Sequence, residues 1–189
     1  MQHRGKTVLI VGAGFSGTLL AINLLRQPDV RVVLVERDGA RLARGTAYGT
    51  PRPEHLLNVR ASNMSAYPDE PGHFERWIGL DDEKGRIRFV ERATYGRYLQ
   101  EQLAEQTRTA GDGRCVIITG EAVSARRRAV SGFDVALRDG TVLECDTLVL
   151  AQGNLPPGDL PHFDGLGSEH YYSDPWSRDW LTGLAPTDH

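Results

Sequence analysis

The stretch Val8-Leu9-Ile10-Val11-Gly12-Ala13-Gly14-Phe15-Ser16-Gly17 decides how this chain is read. Its first four residues are apolar and mostly β-branched, as in a short strand buried on both faces. Three glycines follow in the pattern G-x-G-x-x-G. Thr18 to Arg26 then reads as helix, with Leu20, Ala21, Leu24 and Leu25 on one face and Pro28 marking the end. Arg31 to Glu36 (RVVLVE) is a second buried strand. Strand, helix and strand this close together form a βαβ unit, which is almost always right-handed.

The glycine turn has a chemical reading. Gly12 permits the tight turn, Gly14 lets the backbone approach a pyrophosphate, and Gly17 lets helix pack on strand. Phosphates would meet free amides at the helix N-terminus, where the helix dipole favours an anion. Alone the motif is weak. Here it has a strand before it, a helix after it and an acid about 20 residues on. That acid is Glu36, at the carboxyl end of the second strand. Its carboxylate can accept from both hydroxyls of a ribose and would repel a 2′-phosphate, which disfavours NADP in this pocket. Arg37 beside it softens that discrimination.

Outward from this unit, residues 38–92 hold few periodic segments and are rich in Gly, Pro and Arg. A long insertion of this kind is functional or disordered. Leu56, Leu57, Met64, Tyr67, Phe74, Trp77 and Ile78 argue against disorder. Thr94 to Arg108 reads as helix, with Tyr95, Tyr98, Leu99 and Leu103 on one face, stopped by Gly111-Asp112-Gly113. Cys115 to Thr119 is a third buried strand. Glu121–Arg128, Phe133–Arg138 and Thr141–Glu144 form a meander, with Asp139-Gly140 as a hairpin turn. Thr147 to Ala151 returns as a buried strand.

The bulk numbers narrow the class. The chain has 189 residues, enough for one domain with a small appendage. A net charge of −3 gives no broad reason to expect nucleic acid. Arg126-Arg127-Arg128 reads as the solvated edge of a strand. The two cysteines, Cys115 and Cys145, lie far apart in apolar runs, where a buried inert thiol is expected. His162 and His170 lack metal-ligand spacing, and His55 and His73 read as structural. The short apolar run at the N-terminus suits no signal peptide, and no run suits a membrane helix, so the expected location is cytoplasmic.

A second constellation is TLVLAQGN, Thr147 to Asn154, directly after the meander. It resembles the T-x-x-x-x-A-x-G segment of flavoproteins with two dinucleotide-binding domains. GTAYGT (45–50), HLLNV (55–59), NMSAYPDEPGHFERWI (63–78) and TYGRYL (94–99) extend the likeness. Together they resemble the bacterial FAD-NAD(P)-binding family, also called NAD-binding-9, over most of residues 8–154.

The resemblance implies an α/β, Rossmann-like FAD-binding domain with a parallel sheet and a β-meander, spanning 1–155. Residues 38–92 would be a loop-rich insertion towards the flavin, and 156–189 an aromatic tail. It implies that Gly12, Ala13, Gly14, Phe15, Ser16 and Gly17 take the FAD pyrophosphate. Glu36, with Arg37 beside it, would take the adenosine ribose, and Val123 would meet the adenine through its backbone. Ala151, Gln152 and Gly153 would sit over the ribose and pyrophosphate. Thr46, Ala47 and Tyr48, with Asn58 to Met64, would lie towards the ribityl chain and ring.

The expected function is an FAD-dependent oxidoreductase, monooxygenases included, that takes electrons from NAD(P)H and acts on an unassigned small molecule. Only 36 residues follow Gly153 in the 189 (189 − 153 = 36), too few for a second Rossmann domain. The alternative is therefore a non-catalytic or truncated FAD/NAD(P)-binding module that needs a partner domain or a second copy. No catalytic residue is evident, as expected where the cofactor carries the hard chemistry. Two other Rossmann enzymes drop out. A short-chain dehydrogenase needs Tyr-x-x-x-Lys, but the fourth residues after Tyr48, Tyr67, Tyr95, Tyr98, Tyr171 and Tyr172 are Arg52, Pro71, Leu99, Gln102, Pro175 and Trp176. A methyltransferase usually carries an acid in the strand before its glycines, and Val8 to Val11 has none.

Overall fold

The structure is a computed structural model in which residues 5–80 and 89–154, with Gly158 and Tyr171, are described. Trp176, Trp180, His162 and His170 lie outside the described residues. The elements are β1 (Lys6–Val11), α1 (Phe15–Leu25), β2 (Val30–Glu36), α2 (Gly45–Tyr48), α3 (His73–Trp77), α4 (Arg92–Ala110), β3 (Cys115–Thr119), β4 (Ala122–Arg127), β5 (Phe133–Leu137), β6 (Val142–Cys145) and β7 (Thr147–Leu150). Short 3-10 turns sit at Gly39–Arg41 and Ala61–Asn63.

Four strands form a parallel sheet in the order β3-β2-β1-β7, and β4-β5-β6 form an antiparallel one. The parallel register runs Val8↔Val32 to Val11↔Val35 on one side of β1 and Val8↔Thr147 to Val11↔Leu150 on the other. Alternate residues of β1 and β2 face opposite layers. Ile10, Val32 and Leu34 join Ala21, Ile22, Leu25, Leu99 and Leu103 under the helices. Leu9, Val33 and Val35 join Val135, Leu137 and Cys145 under the meander. The two central strands are apolar on both faces because both faces are covered.

The sequence expects β3 and β7 to be buried in the same way, and the strand order corrects this. Both are edge strands of the described sheet. Ile117 is 41% exposed and Leu150 is 64% exposed. The β5–β6 hairpin forms as expected: Gly140 has φ +90°, and the Thr141 amide donates to Asp139 Oδ1 at 2.9 Å. β4 is the edge of its sheet, and Arg126 and Arg127 are solvent-exposed along it. Charged edge residues of this kind discourage pairing with another chain.

The insertion folds as turns and short helices fastened to α4. Leu57, Ala61, Ala66, Tyr67 and Phe74 are buried with Tyr95, Tyr98 and Leu99, while Leu56 is exposed. The Tyr98 hydroxyl accepts from the Ala66 amide at 3.1 Å and bonds His73 Nδ1 at 2.9 Å. Tyr67 donates its hydroxyl proton to Gln102 Oε1 at 2.9 Å and accepts from Gln106 Nε2 at 3.1 Å. Burial of each such aromatic side chain contributes about 1.5–3 kcal/mol, and the bonds fix where the loop sits. No described helix is long and apolar enough to cross a membrane.

Candidate functional site

The site is built at the carboxyl ends of β1, β2 and β7, where the glycine turn leads into α1. Gly12 sits at φ +96°, and its amide donates to the Val35 carbonyl at 2.8 Å, tying the turn to β2. A Cβ on Gly12 would lie 2.3 Å from the Ala151 carbonyl oxygen. The Ala151 amide in turn donates to Val11 at 2.8 Å. A Cβ on Gly17 would lie 1.9 Å from the Gly12 carbonyl oxygen. The first and third glycines are therefore required by the protein's own backbone.

Gly14 is the residue before the first turn of α1. It has no side chain to cap the helix, and the first turn contains no acid. The opening amides of a helix have no acceptor within it, so this end is suited to an outside anion. The same glycine faces a second one: a Cβ on Gly14 would meet Gly45 Cα at 3.4 Å. Gly45, at φ +56°, opens α2.

Glu36 closes the site on its other side. Its Oε2 accepts from the Ala13 amide at 2.9 Å and its Oε1 accepts from the Asp38 amide at 3.1 Å. The carboxylate is held between the glycine turn and the end of β2. A carboxylate has about four acceptor positions, so two main-chain bonds leave room for ribose hydroxyls. Ala13 is fully buried, and its amide serves Glu36. Its carbonyl accepts from the Ala43 amide at 2.7 Å and from Thr18 Oγ1 at 3.1 Å.

The other expected residues divide into two groups. Phe15 packs edge-on against Tyr48 with centroids 5.2 Å apart, and Tyr48 against Tyr95 at 4.8 Å. Burial raises the Tyr48 hydroxyl above its ordinary pKa, while nearby Arg92 works against that shift. It is a proton donor at neutral pH. Ser16 is exposed on α1, and Ala47 lies in α2. Thr46 Oγ1 accepts from Arg41 at 3.4 Å. Val123 and Gln152 line a cleft of about 180 Å³ with Val11 and Leu150. The β4–β5 register jumps from Ala122 to Ser124, a bulge that takes Val123 out of the ladder. Gly153 follows at φ +71°. Arg37 and Asn58 are exposed, and Met64 packs against the core beneath the helices. Among the described residues no hydrogen bond joins these last three side chains to the turn.

Two contributors escape the sequence reading. Ala43 is fully buried at φ +66° and donates to Ala13, bracing the turn from behind. No residue-type signal marks it. Gly45 is a glycine in a run already singled out, but only the fold brings it against Gly14. Cys145 is buried as expected, whereas Cys115 is half-buried, and burial raises both thiols above the usual range.

Residues 9–155 match the family described as FAD-NAD(P)-binding. No curated protein sequence matches the chain. Among solved structures, OTEMO in complex with FAD and NADP is similar at 20% identity and a TM-score of 0.57, over 85% of this chain and 28% of that one. A steroid monooxygenase bound to NADP is similar at 22% identity and 0.61, over 86% and 29%. A cyclohexanone monooxygenase variant from Rhodococcus sp. Phi1 bound to NADP+ gives 19% and 0.60, over 87% and 29%. These likenesses establish the fold. The chain spans less than a third of each of these structures.

Proposed function

We propose that this chain, which belongs to the FAD-NAD(P)-binding family, binds FAD across the ends of β1, β2 and β7 as the cofactor-binding part of an FAD-dependent oxidoreductase. The finer reading is a monooxygenase with NAD(P)H as electron donor. One observation carries it: an uncapped helix start adjoins a carboxylate fixed 2.9 Å from the Ala13 amide. A diphosphate suits the first and a ribose suits the second.

The residues take the following parts. The amides at the start of α1 bind the pyrophosphate oxygens, and Gly14 lets them come close. Glu36 accepts from the ribose hydroxyls and excludes a 2′-phosphate by charge. The bulged main chain at Val123 meets the adenine edge, beside the cleft lined by Gln152. Ala151 and Gly153 close over the ribose and pyrophosphate. Thr46, Ala47 and Tyr48 lie towards the ribityl chain, with Asn58 and Met64 assigned to the ring side. When bound, FAD supplies the redox chemistry through its flavin. Residues 1–155 form the cofactor domain, 38–92 its insertion, and 156–189 a tail.

The FAD and NADP named for the OTEMO complex support this assignment. A second reading is favoured by the chain's spanning under a third of these neighbours. In it, the chain is a binding module completed by a partner domain or a second copy.

The first test is an absorption spectrum of the purified chain, with chromatographic identification of any cofactor released on denaturation. Bound FAD, or FAD taken up on reconstitution, is expected. A protein that neither carries nor takes up FAD overturns the assignment. NAD(P)H oxidation by the loaded chain then separates the readings: turnover supports the enzyme, and none under any acceptor supports the module.

A further inference from the structure

We propose that Trp77, Tyr98 and His73 form a radical sink, in which Tyr98 fills an electron hole on Trp77 and hands its proton to His73. The two oxidisable rings are in contact. Their centroids lie 5.4 Å apart at an interplanar angle of 61°, an ordinary edge-on arrangement. Packing alone explains such a contact, and α4 makes several. This pair differs because each ring carries its own proton acceptor. Trp77 Nε1 donates to Glu101 Oε2 at 2.9 Å. The Tyr98 hydroxyl lies 2.9 Å from His73 Nδ1.

The acceptors matter because a Trp or Tyr that loses an electron becomes strongly acidic. Its proton must go somewhere, and a buried ring with no base beside it resists oxidation. Tyr95 shows the contrast. It packs 5.6 Å from Tyr98 and is equally buried, but its hydroxyl has no partner among the described residues. Tyr67 packs 4.7 Å from the His73 ring, yet its proton goes to Gln102 Oε1, an amide too weak a base to take it. The direction of the Tyr98–His73 bond follows from its surroundings. Tyr98 already accepts from the Ala66 amide at 3.1 Å, and its own proton has no other acceptor among the described residues. Burial lowers the His73 pKa below 6.5, with Glu70 opposing and Arg76 adding to the shift. At neutral pH the ring is therefore neutral, with Nδ1 bare and the proton on Nε2.

The step balances in electrons and protons. A one-electron oxidising radical takes an electron from Trp77, and the indole proton passes to Glu101. One electron then moves from Tyr98 to Trp77. The indole nitrogen recovers its proton from Glu101, and the phenol proton moves to His73 Nδ1. Trp77 is restored, Tyr98 becomes a neutral phenoxyl radical, and His73 carries the positive charge. A one-electron reductant such as ascorbate returns Tyr98 to the phenol, with the proton held on His73. The hole thereby leaves a half-buried indole for a ring that is 0% exposed. Trp77 is spared the slower, irreversible addition of oxygen. No member of the set has a hydrogen bond or ring contact with the glycine turn among the described residues, so the sink is tested apart from FAD binding.

The experiment generates azidyl radicals by pulse radiolysis of the full chain at neutral pH, where they oxidise tryptophan in preference to tyrosine. Transient absorption follows the visible band of the Trp radical and the near-ultraviolet band of the Tyr radical. Subtracting the Trp77→Phe trace removes what Trp176 and Trp180 contribute. The remaining Trp signal is expected to convert to Tyr signal at a rate independent of protein concentration. Tyr98→Phe should abolish that conversion, and Tyr95→Phe should leave it intact. His73→Gln keeps an acceptor for the hydroxyl but not a base, and should slow conversion about a hundredfold, the lower end of what a positioned base contributes to proton transfer. Urea midpoints check that the variants fold, and His73→Gln decides the matter if Tyr98→Phe does not. No conversion in the unmodified chain, full conversion in folded Tyr98→Phe, or an unchanged rate in His73→Gln would overturn the proposal.

Discussion

Gly12 and Gly17 resist a side chain for different reasons. At Gly12 the backbone itself is left-handed, φ +96°, and a Cβ would also press on Ala151. At Gly17 the obstacle is the Gly12 carbonyl, with Ile10 Cγ2 also close at 3.2 Å. Gly79 provides a control: its φ is +70°, but nothing lies within 4 Å of an added Cβ. Gly79→Ala should therefore cost only the left-handed penalty, about 1–2 kcal/mol. Gly12→Ala and Gly17→Ala should cost more than that control, seen as larger drops in urea midpoint, and should abolish FAD uptake. Equal midpoints for Gly12→Ala and Gly79→Ala would refute the close-approach account. Glu36→Ala strands the Ala13 amide and should cost about 1–3 kcal/mol. Glu36→Gln keeps an acceptor there and should cost less. At this scale the sequence is legible because main-chain geometry leaves glycine as the sole candidate. Ala43 is illegible because its left-handed φ is imposed by its bond to Ala13, which no pattern announces.

α4 pins the insertion through one hydroxyl more than through the others. Tyr95 and Tyr98 are 1% and 0% exposed. The Tyr98 hydroxyl holds Ala66 and His73, whereas the Tyr95 hydroxyl has no hydrogen-bond partner among the described residues. Tyr98→Phe should cost about 1–3 kcal/mol, by leaving a buried amide unpaired. Tyr95→Phe should stay within about 0.5 kcal/mol. Thermal melts of the two variants distinguish them. His73 adds a pH response. Burial lowers its pKa below the ordinary 6.5, with Glu70 raising it and Arg76 lowering it further. The unfolded chain thus binds the proton more readily than the folded one, so stability is present above pH 6.5 and falls as pH drops below it. Urea midpoints at successive pH values should show a loss on the acid side that is smaller in His73→Gln. An identical loss in both proteins would show that other groups carry it. The apolar face of α4 was readable from periodicity. The shape of residues 38–92 was not, because it comes from bonds such as Tyr98 to Ala66, 32 residues apart.

The whole molecule rests on strand order, and the order is the part least visible beforehand. Strand composition identifies all seven strands of the described residues, and the meander with its turn. Composition alone made β3 and β7 look as buried as β1 and β2, since short apolar β-branched runs suit edge and centre alike. What separates them is which strand finds two neighbours. β1 finds β2 close by, but its other neighbour arrives far later: the Thr7 amide meets Asp146, 139 residues away. Distant pairings slow folding. The refolding rate should therefore fall little in Arg126→Ala, on the meander's edge, and markedly in Val149→Ala, which weakens the β1–β7 seam; stopped-flow traces of both variants check this. The same separation sets a timetable during synthesis. At about 5–20 residues per second, the ribosome delivers β7 roughly 7–28 s after β1. Through that interval one flank of the VLIV strand lacks its β7 partner, and the nascent chain must be kept from other strands by chaperones or by its own helices until β7 emerges.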